Sequence, residues 1–273
     1  MLRNENLWTA VRLRVLSVAA ALPVTLGYAA TLLAVAVLLA GLGSHPHDVA
    51  VREMSTNLHN LAHGHVVTLV GSAFISDGGD MLFWLPGLVC LLGLGELVWR
   101  STGLIVTFAL GHIGATLVVA VWLTAALTAG WLPMSLAHAT DVGMSYGAVC
   151  VLGALTGSIP AQWRPVWIGW WLGNALAAAS GADFTAVGHV VALLFGIALS
   201  FRLRSIARWT LVPSVLLAIG SVFGYLVLCG PAGAMPVAGA TGALIALVAT
   251  WLMPSRDQAR ARSGQPMPQP ARP

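Results

Sequence analysis

The stretch DVGMSYGAVCVLGALTG, from Asp141 to Gly157, places a serine among small residues just inside one end of a long apolar run. Two interpretations of Ser145 are open. The serine is either a nucleophile or an ordinary small residue at the contact of two helices, since glycine and serine let helix backbones approach closely inside a membrane. The rest of the chain has to decide between these interpretations.

The composition indicates an integral membrane protein. Hydrophobic residues make up 58% of the 273 residues and charged residues only 8%, whereas a soluble domain has about 25% charged residues. The pI of 9.5 comes from 13 basic residues, all of them arginine. Because these arginines stand between apolar runs, membrane topology explains them better than nucleic acid binding does. The expected surroundings are therefore a lipid bilayer, with no nucleic acid partner.

Eight apolar segments are long enough to cross a bilayer, which takes about 20 helical residues. Their approximate limits are 15–42, 81–98, 102–128, 142–159, 163–181, 184–202, 209–229 and 232–253. The chain is thus predicted to be an all-α polytopic membrane protein. The polar, proline-rich residues 254–273 are predicted to be a disordered tail.

The arginines predict the orientation of these spans. With a cytoplasmic N-terminus, every arginine except Arg52 falls on the cytoplasmic side, as the positive-inside rule requires. An even number of spans and two cytoplasmic termini follow from this distribution. The absence of lysine suggests a GC-rich genome, so a bacterial plasma membrane is the expected location.

Ser145 and a histidine are predicted to lie at the same depth in the membrane. Ser145 lies about one turn inside the external start of the fourth span, and His189 lies about one turn inside that of the sixth. An ionisable residue inside a membrane is by default a functional candidate. A neutral imidazole can accept the proton of a serine hydroxyl, which is a poor nucleophile without such a partner. The pair is therefore a candidate catalytic dyad.

Small residues near this pair are predicted to pack helices together. Gly143 and Gly147 form a small-xxx-small pair, and His189, Ala192 and Gly196 share one helix face. We also expect Asp141 to cap the start of the fourth span. The free backbone N–H groups at such a start, including that of Ser145, are suited to bind an oxyanion.

Four further polar residues have positions or spacings that bear on function. His59 and His63 have the i, i+4 spacing of metal ligands, but no carboxylate or cysteine completes a site, so solvated loop histidines are the preferred interpretation. No metal and no cofactor is expected. His138 is either near the site entrance or a plain loop residue. Glu96 is predicted to pair with Arg100, four residues later on a helix.

The motifs resemble those of the rhomboid intramembrane serine proteases. Rhomboids carry GxSG at the start of their fourth core helix and a Gly-Ala pair eight residues after the serine. This chain has GMSYG and then Gly153-Ala154. The AHxxGxxxG motif of their sixth core helix is similar to the segment from Gly188 to Gly196, and GLGELVWRSTG resembles a cluster after their second helix.

The resemblance covers about residues 10–205 and implies a rhomboid-like six-helix core, counted as residues 1–205. Residues 206–253 would be two additional transmembrane helices. The implied activity is hydrolysis of peptide bonds in or near transmembrane segments through Ser145 and His189. Asn174 and His112 are the candidates for a further oxyanion donor. The implied partners are transmembrane proteins.

The sequence also departs from the family's pattern. Tyr146 stands where rhomboids have glycine after the serine, and neither residue of their His-x-x-x-Asn pair is present near Leu82 to Pro86. The Trp-Arg pair of their first loop is missing too. Two functions therefore stay open, an active protease and a catalytically inactive relative that binds membrane-protein clients. A small-solute transporter is disfavoured, because no internal repeat is visible.

Overall fold

The chain folds into a bundle of helices, with no strand in the part that the structure describes. The structure is a computed structural model, and it describes residues 17, 20–76, 81–181, 183–203, 205–206, 209–230 and 236–252. The helices are α1 Pro23–Leu42, α2 Ser44–Met54, α3 Leu58–Ala62, α4 Thr68–Gly71, α5 Met81–Ala109, α6 Ala115–Thr128, α7 Ser145–Ala154, α8 Arg164–Ala179, α9 Phe184–Ser200, α10 Leu211–Cys229 and α11 Pro236–Leu252. This confirms the all-α fold class.

Among the described residues, three helical segments are long and apolar enough to cross a membrane, namely Pro23–Leu42, Met81–Thr128 and Leu211–Cys229. The second of them has 48 residues, about twice what one span needs. Arg100 divides it, because its backbone has a φ of 61° and leaves the helical conformation. Two consecutive spans therefore meet at Arg100, close to the predicted boundary between 81–98 and 102–128.

Glu96 anchors the beginning of α1 to the end of the second predicted span. Its carboxylate accepts hydrogen bonds from the backbone N–H groups of Val24 (3.0 Å) and Thr25 (2.8 Å), and from the hydroxyl of Ser101 (2.6 Å). These N–H groups belong to the first turn of α1 and have no partner within the helix. The predicted pair of Glu96 with Arg100 is wrong, since the structure forms no ion pair between them. Arg100 is not helical, so the i, i+4 geometry is lost.

Helix α7 forms the centre of the bundle, and all of its residues after Ser145 are buried. It packs against α5, α9 and α10. The closest approach is to α9, where a Cβ atom on Gly153 would lie 2.5 Å from the carbonyl oxygen of Leu193. A Cβ atom on Gly196 would clash with the carbonyl oxygen of Cys150. Only glycine at both positions allows the two backbones to lie in contact.

The last two helices pack tightly on the others. Gly220 of α10 lies against Leu91 of α5, and a Cβ atom on Gly224 would meet the side chain of Leu152 in α7 at 2.7 Å. Helix α11 lies along α8, where Gly169 and Gly242 bring the two backbones into contact. The division of the chain at residue 205 stays a prediction, and the predicted tail, 254–273, lies outside the described residues.

The glycine contact between α7 and α9 predicts a large effect of one methyl group. Gly196→Ala is expected to lower the free energy of unfolding by about 1–3 kcal/mol, because overpacking forces two backbones apart. Thermal unfolding of the purified protein in detergent measures this effect. The matched control is Gly27→Ala in α1, where an added Cβ atom has no neighbour within 4 Å. Equal unfolding temperatures of the two variants would contradict the packing argument.

Candidate active site

The serine helix begins later than the sequence predicts. Helix α7 starts at Ser145, with Met144 at the N-cap position and no side-chain cap. Gly143 precedes the helix with a φ of 110°, which glycine adopts readily, so it shapes a turn and does not pack a helix face with Gly147. The prediction that Asp141 caps the helix is wrong, because this turn separates Asp141 from the first helical residue.

Asp141 is instead bound by the segment that follows α2. The backbone N–H of Thr56 donates to the carbonyl oxygen of Asp141 (2.9 Å), and the Thr56 hydroxyl lies 3.1 Å from the Asp141 carboxylate. The N–H of Asp141 donates to the Ser55 hydroxyl (2.9 Å), and the N–H of Gly143 donates to the carbonyl oxygen of Ser72 (2.8 Å). We call these contacts the loop clamp. Burial raises the pKa of the Asp141 carboxyl to about 6.

His189 lies against the first turn of the serine helix. Its ring contacts the ring of Tyr146 edge to face, with the centroids 5.3 Å apart. The His189 side chain is 7% exposed, whereas Ser145 is half-buried. Its Nε2 atom is buried and has no hydrogen-bond partner among the described residues, and no hydrogen bond joins Ser145 to His189. The unpaired ring nitrogen and the serine hydroxyl therefore belong to neighbouring parts of α9 and α7.

The arrangement offers three chemical groups at one end of the bundle. Ser145 supplies a hydroxyl that solvent reaches in part. His189 supplies an unpaired ring nitrogen. The first N–H groups of α7 have no partner inside the helix, and the helix dipole favours negative charge there. A nucleophile, a base and anion-binding donors are the parts that acyl transfer needs.

The two residues predicted as further oxyanion donors have other partners. The Nε2 atom of His112 shares a hydrogen bond of 3.1 Å with the Ser72 hydroxyl. The Asn174 amide donates to the carbonyl oxygen of Trp170 (2.9 Å), and its oxygen lies 3.8 Å from the sulfur of Cys229. His112 thus holds the first long loop in place, and Asn174 faces the last two helices. Their roles as oxyanion donors stay predictions.

The remaining predicted packing residues lie around the same helix pair. Gly147 faces Phe108 of α5, where an added Cβ atom would approach the ring to 2.6 Å. Ala192 is fully buried in α9. Sequence reasoning missed Ser55, Thr56 and Ser72, because no spacing rule connects three small hydroxyl residues to a turn that lies far along the chain.

Comparison with known proteins identifies the family. Residues 18–209 match the family described as rhomboid-like protein. The chain belongs to this family. No curated protein and no solved structure matches it. In this rhomboid-like protein, the matched residues include the helices of Ser145 and His189, whereas α10 and α11 lie beyond them.

Histidines outside this site do not converge on a metal position. Within the described ranges, no three His, Cys, Asp or Glu side chains form a group that could hold a metal ion. The ring of His59 instead stacks on that of His138, with the centroids 4.6 Å apart, and lies tilted against that of His63 at 4.3 Å. His138 therefore contacts the first long loop.

The raised pKa of Asp141 predicts a specific pH dependence. Because the folded pKa of about 6 exceeds the ordinary value near 4, the folded protein binds more protons between these pH values, and stability falls as the pH rises through them. Asp141→Asn keeps an acceptor for Thr56 but carries no charge. We expect it to lose this pH dependence and to gain about 1–2 kcal/mol at pH 7.5, measured by unfolding at several pH values.

The control for this measurement is Asp48→Asn. The Asp48 side chain is 74% exposed and lies near His47, so its removal is expected to leave the slope between pH 4 and 6 unchanged. A wild-type slope that persists in Asp141→Asn would show that another group titrates.

Proposed function

We propose that this protein is an intramembrane serine protease that hydrolyses peptide bonds in or near transmembrane segments. The observation that carries the proposal is the Nε2 atom of His189, which is buried against the first turn of the Ser145 helix and has no hydrogen-bond partner in the part of the chain that the structure describes. An unpaired buried polar atom lowers stability, so its presence calls for an explanation. A base that awaits the proton of a nucleophile provides that explanation.

The proposed reaction is acyl transfer through the dyad. Ser145 attacks the peptide carbonyl carbon while His189 takes the hydroxyl proton, and a tetrahedral oxyanion forms. The backbone N–H groups at the start of α7 donate to this oxyanion. Collapse of the tetrahedral intermediate expels the amine, which takes its proton from His189. Water then attacks the acyl-enzyme with His189 as base, and releases the carboxylic product and free Ser145.

Asn174 and His112 remain candidate donors to the oxyanion. Each would first have to leave its present partner, Trp170 for Asn174 and Ser72 for His112. The reaction as proposed requires neither a metal ion nor a cofactor. The proposed substrates are transmembrane proteins, because the serine helix lies inside an apolar bundle.

The second candidate function is a catalytically inactive protein that binds membrane-protein clients. It is favoured by the Tyr146 ring, which packs on His189 beside the serine, and by the absence of a hydrogen bond between the two dyad residues. In this case Ser145 would serve only as a small residue at the start of α7.

Labelling with a fluorophosphonate distinguishes the two functions. If the protein is a protease, wild type is labelled, and Ser145→Ala and His189→Ala each lower cleavage of helix-destabilised spanning substrates by about a thousandfold or more. The double variant should be no worse than either single variant, because members of one catalytic unit act non-additively. The matched control is Ser180→Ala, which removes an exposed hydroxyl at the end of α8.

Two outcomes would overturn the protease proposal. Cleavage that survives Ser145→Ala, in a preparation free of other proteases, would exclude Ser145 as the nucleophile. The client-binding function would be favoured if the wild-type protein binds transmembrane peptides but neither cleaves them nor reacts with fluorophosphonate. Tyr146→Gly restores the residue of the family's motif, and it should preserve or raise activity if Tyr146 only crowds the dyad.

We further propose that both termini are cytoplasmic and that the membrane is a bacterial plasma membrane. The distribution of the arginines supports this orientation. Reporter fusions after Arg100, Arg164 and Arg208 are expected to read cytoplasmic, and fusions near Asp77 and Gly181 to read external. An external signal after Arg208 would contradict the proposed orientation.

A further inference from the structure

Three imidazole rings from two separate segments meet near the loop clamp. His59 lies on α3 and His63 directly follows it, whereas His138 ends the short 3-10 turn Met134–His138. The His59 ring stacks on that of His138 and lies tilted against that of His63, and the ring N–H of His63 donates to the carbonyl oxygen of His59 (2.7 Å). All three side chains are exposed, so protons reach them freely.

This histidine cluster joins the same two segments as the loop clamp. One segment runs from Thr56 into α3 and carries His59. The other runs from His138 to Asp141 and on to Ser145. The stack of His59 on His138 therefore lies beside the hydrogen bonds between Thr56 and Asp141.

We propose that His59, His63 and His138 form a proton-operated latch, which holds the two segments together while the rings are neutral and releases the turn before Ser145 when they are protonated. Neutral rings attract each other through stacking. Two protonated rings at these distances repel, and in water each pair shifts the equilibrium roughly fivefold towards the open arrangement. An effect of this release on catalysis rests on the proposed function. The release itself is independent of that function.

The charges around His59 determine the sign of the effect. His63 and His65 face it from its own segment, and His138 faces it from the other. Desolvation in the cluster, followed by these neighbouring imidazoles, holds the pKa of His59 below its ordinary value. The closed latch therefore binds fewer protons than the open one. The closed arrangement loses stability as the pH falls through the ordinary pKa of histidine, about 6.5.

One carboxyl close to the latch acts in the opposite direction. Asp141 accepts from Thr56 and has a raised pKa of about 6, so its protonation at acidic pH stabilises the closed arrangement. An opening at low pH thus has to come from the histidines. Asp141→Asn separates the two contributions, because it removes the carboxyl and leaves the cluster intact.

Hydrogen–deuterium exchange of the full chain in detergent tests the latch without any assay of activity. After correction for the intrinsic rate, we expect exchange in residues 134–143 to rise about fivefold or more between pH 7.5 and pH 5.0 in wild type. His138→Gln should abolish this dependence, because it removes the charge across the contact. His59→Phe keeps a stacking ring without a charge, and it should stay protected at both pH values.

The matched control is His45→Gln, which removes an exposed histidine outside the cluster and should behave as wild type does. Asp141→Asn should keep the rise at low pH. The proposal is overturned if His138→Gln and His59→Phe respond to pH as wild type does, or if Asp141→Asn alone abolishes the response. A further outcome would also overturn the proposal. If added Zn²⁺ lowers exchange in residues 134–143 at pH 7.5 in wild type but not in His138→Gln, the histidines form a metal site and not a latch.

Discussion

The contact of two helix backbones at Gly153 and Gly196 is the constraint on which the rest of the structure depends. It brings α7 and α9 so close that neither glycine can carry a side chain. Inside a membrane, close packing of this kind replaces the hydrophobic effect as the force that joins helices. The same approach carries His189 to the first turn of α7, where its ring meets Tyr146. Helix packing and the candidate site are thus consequences of one contact.

The start of α7 is held from outside the helix pair. The loop clamp fixes Asp141 and Gly143 through hydroxyl and backbone groups of the first long loop, and His112 fixes Ser72 of the same loop. One of these partners is the half-buried carboxyl of Asp141, whose pKa is raised, and exposed histidines lie beside it. The turn before Ser145 is therefore in contact with groups that titrate in the acidic range. Packing of the buried residues 146–154 has no such dependence, because they are almost entirely apolar.

Access to Ser145 is restricted to one end of its helix. Every residue of α7 after Ser145 is buried, by α5, α9 and α10 among others. The backbone contact of α8 with α11 and the close packing of α10 on α5 strengthen this enclosure. In the proposed reaction, a peptide bond reaches the serine at the first turn of α7, next to the free N–H groups and the histidine. For either proposed function, the conformation of the turn at Gly143 determines what reaches Ser145.

The sequence by itself determined the all-α membrane class of the protein, the family and the two helices that carry Ser145 and His189. These features are local or periodic: apolar length defines a span, and glycine spacing defines a packing face. The binding of Glu96 to the start of α1 and the role of Asp141 were decided only in the tertiary structure. Each depends on a polar group finding a partner many residues away, as Thr56 does with Asp141. Sequence spacing contains no information about such pairs, because the folded chain alone brings the two segments together.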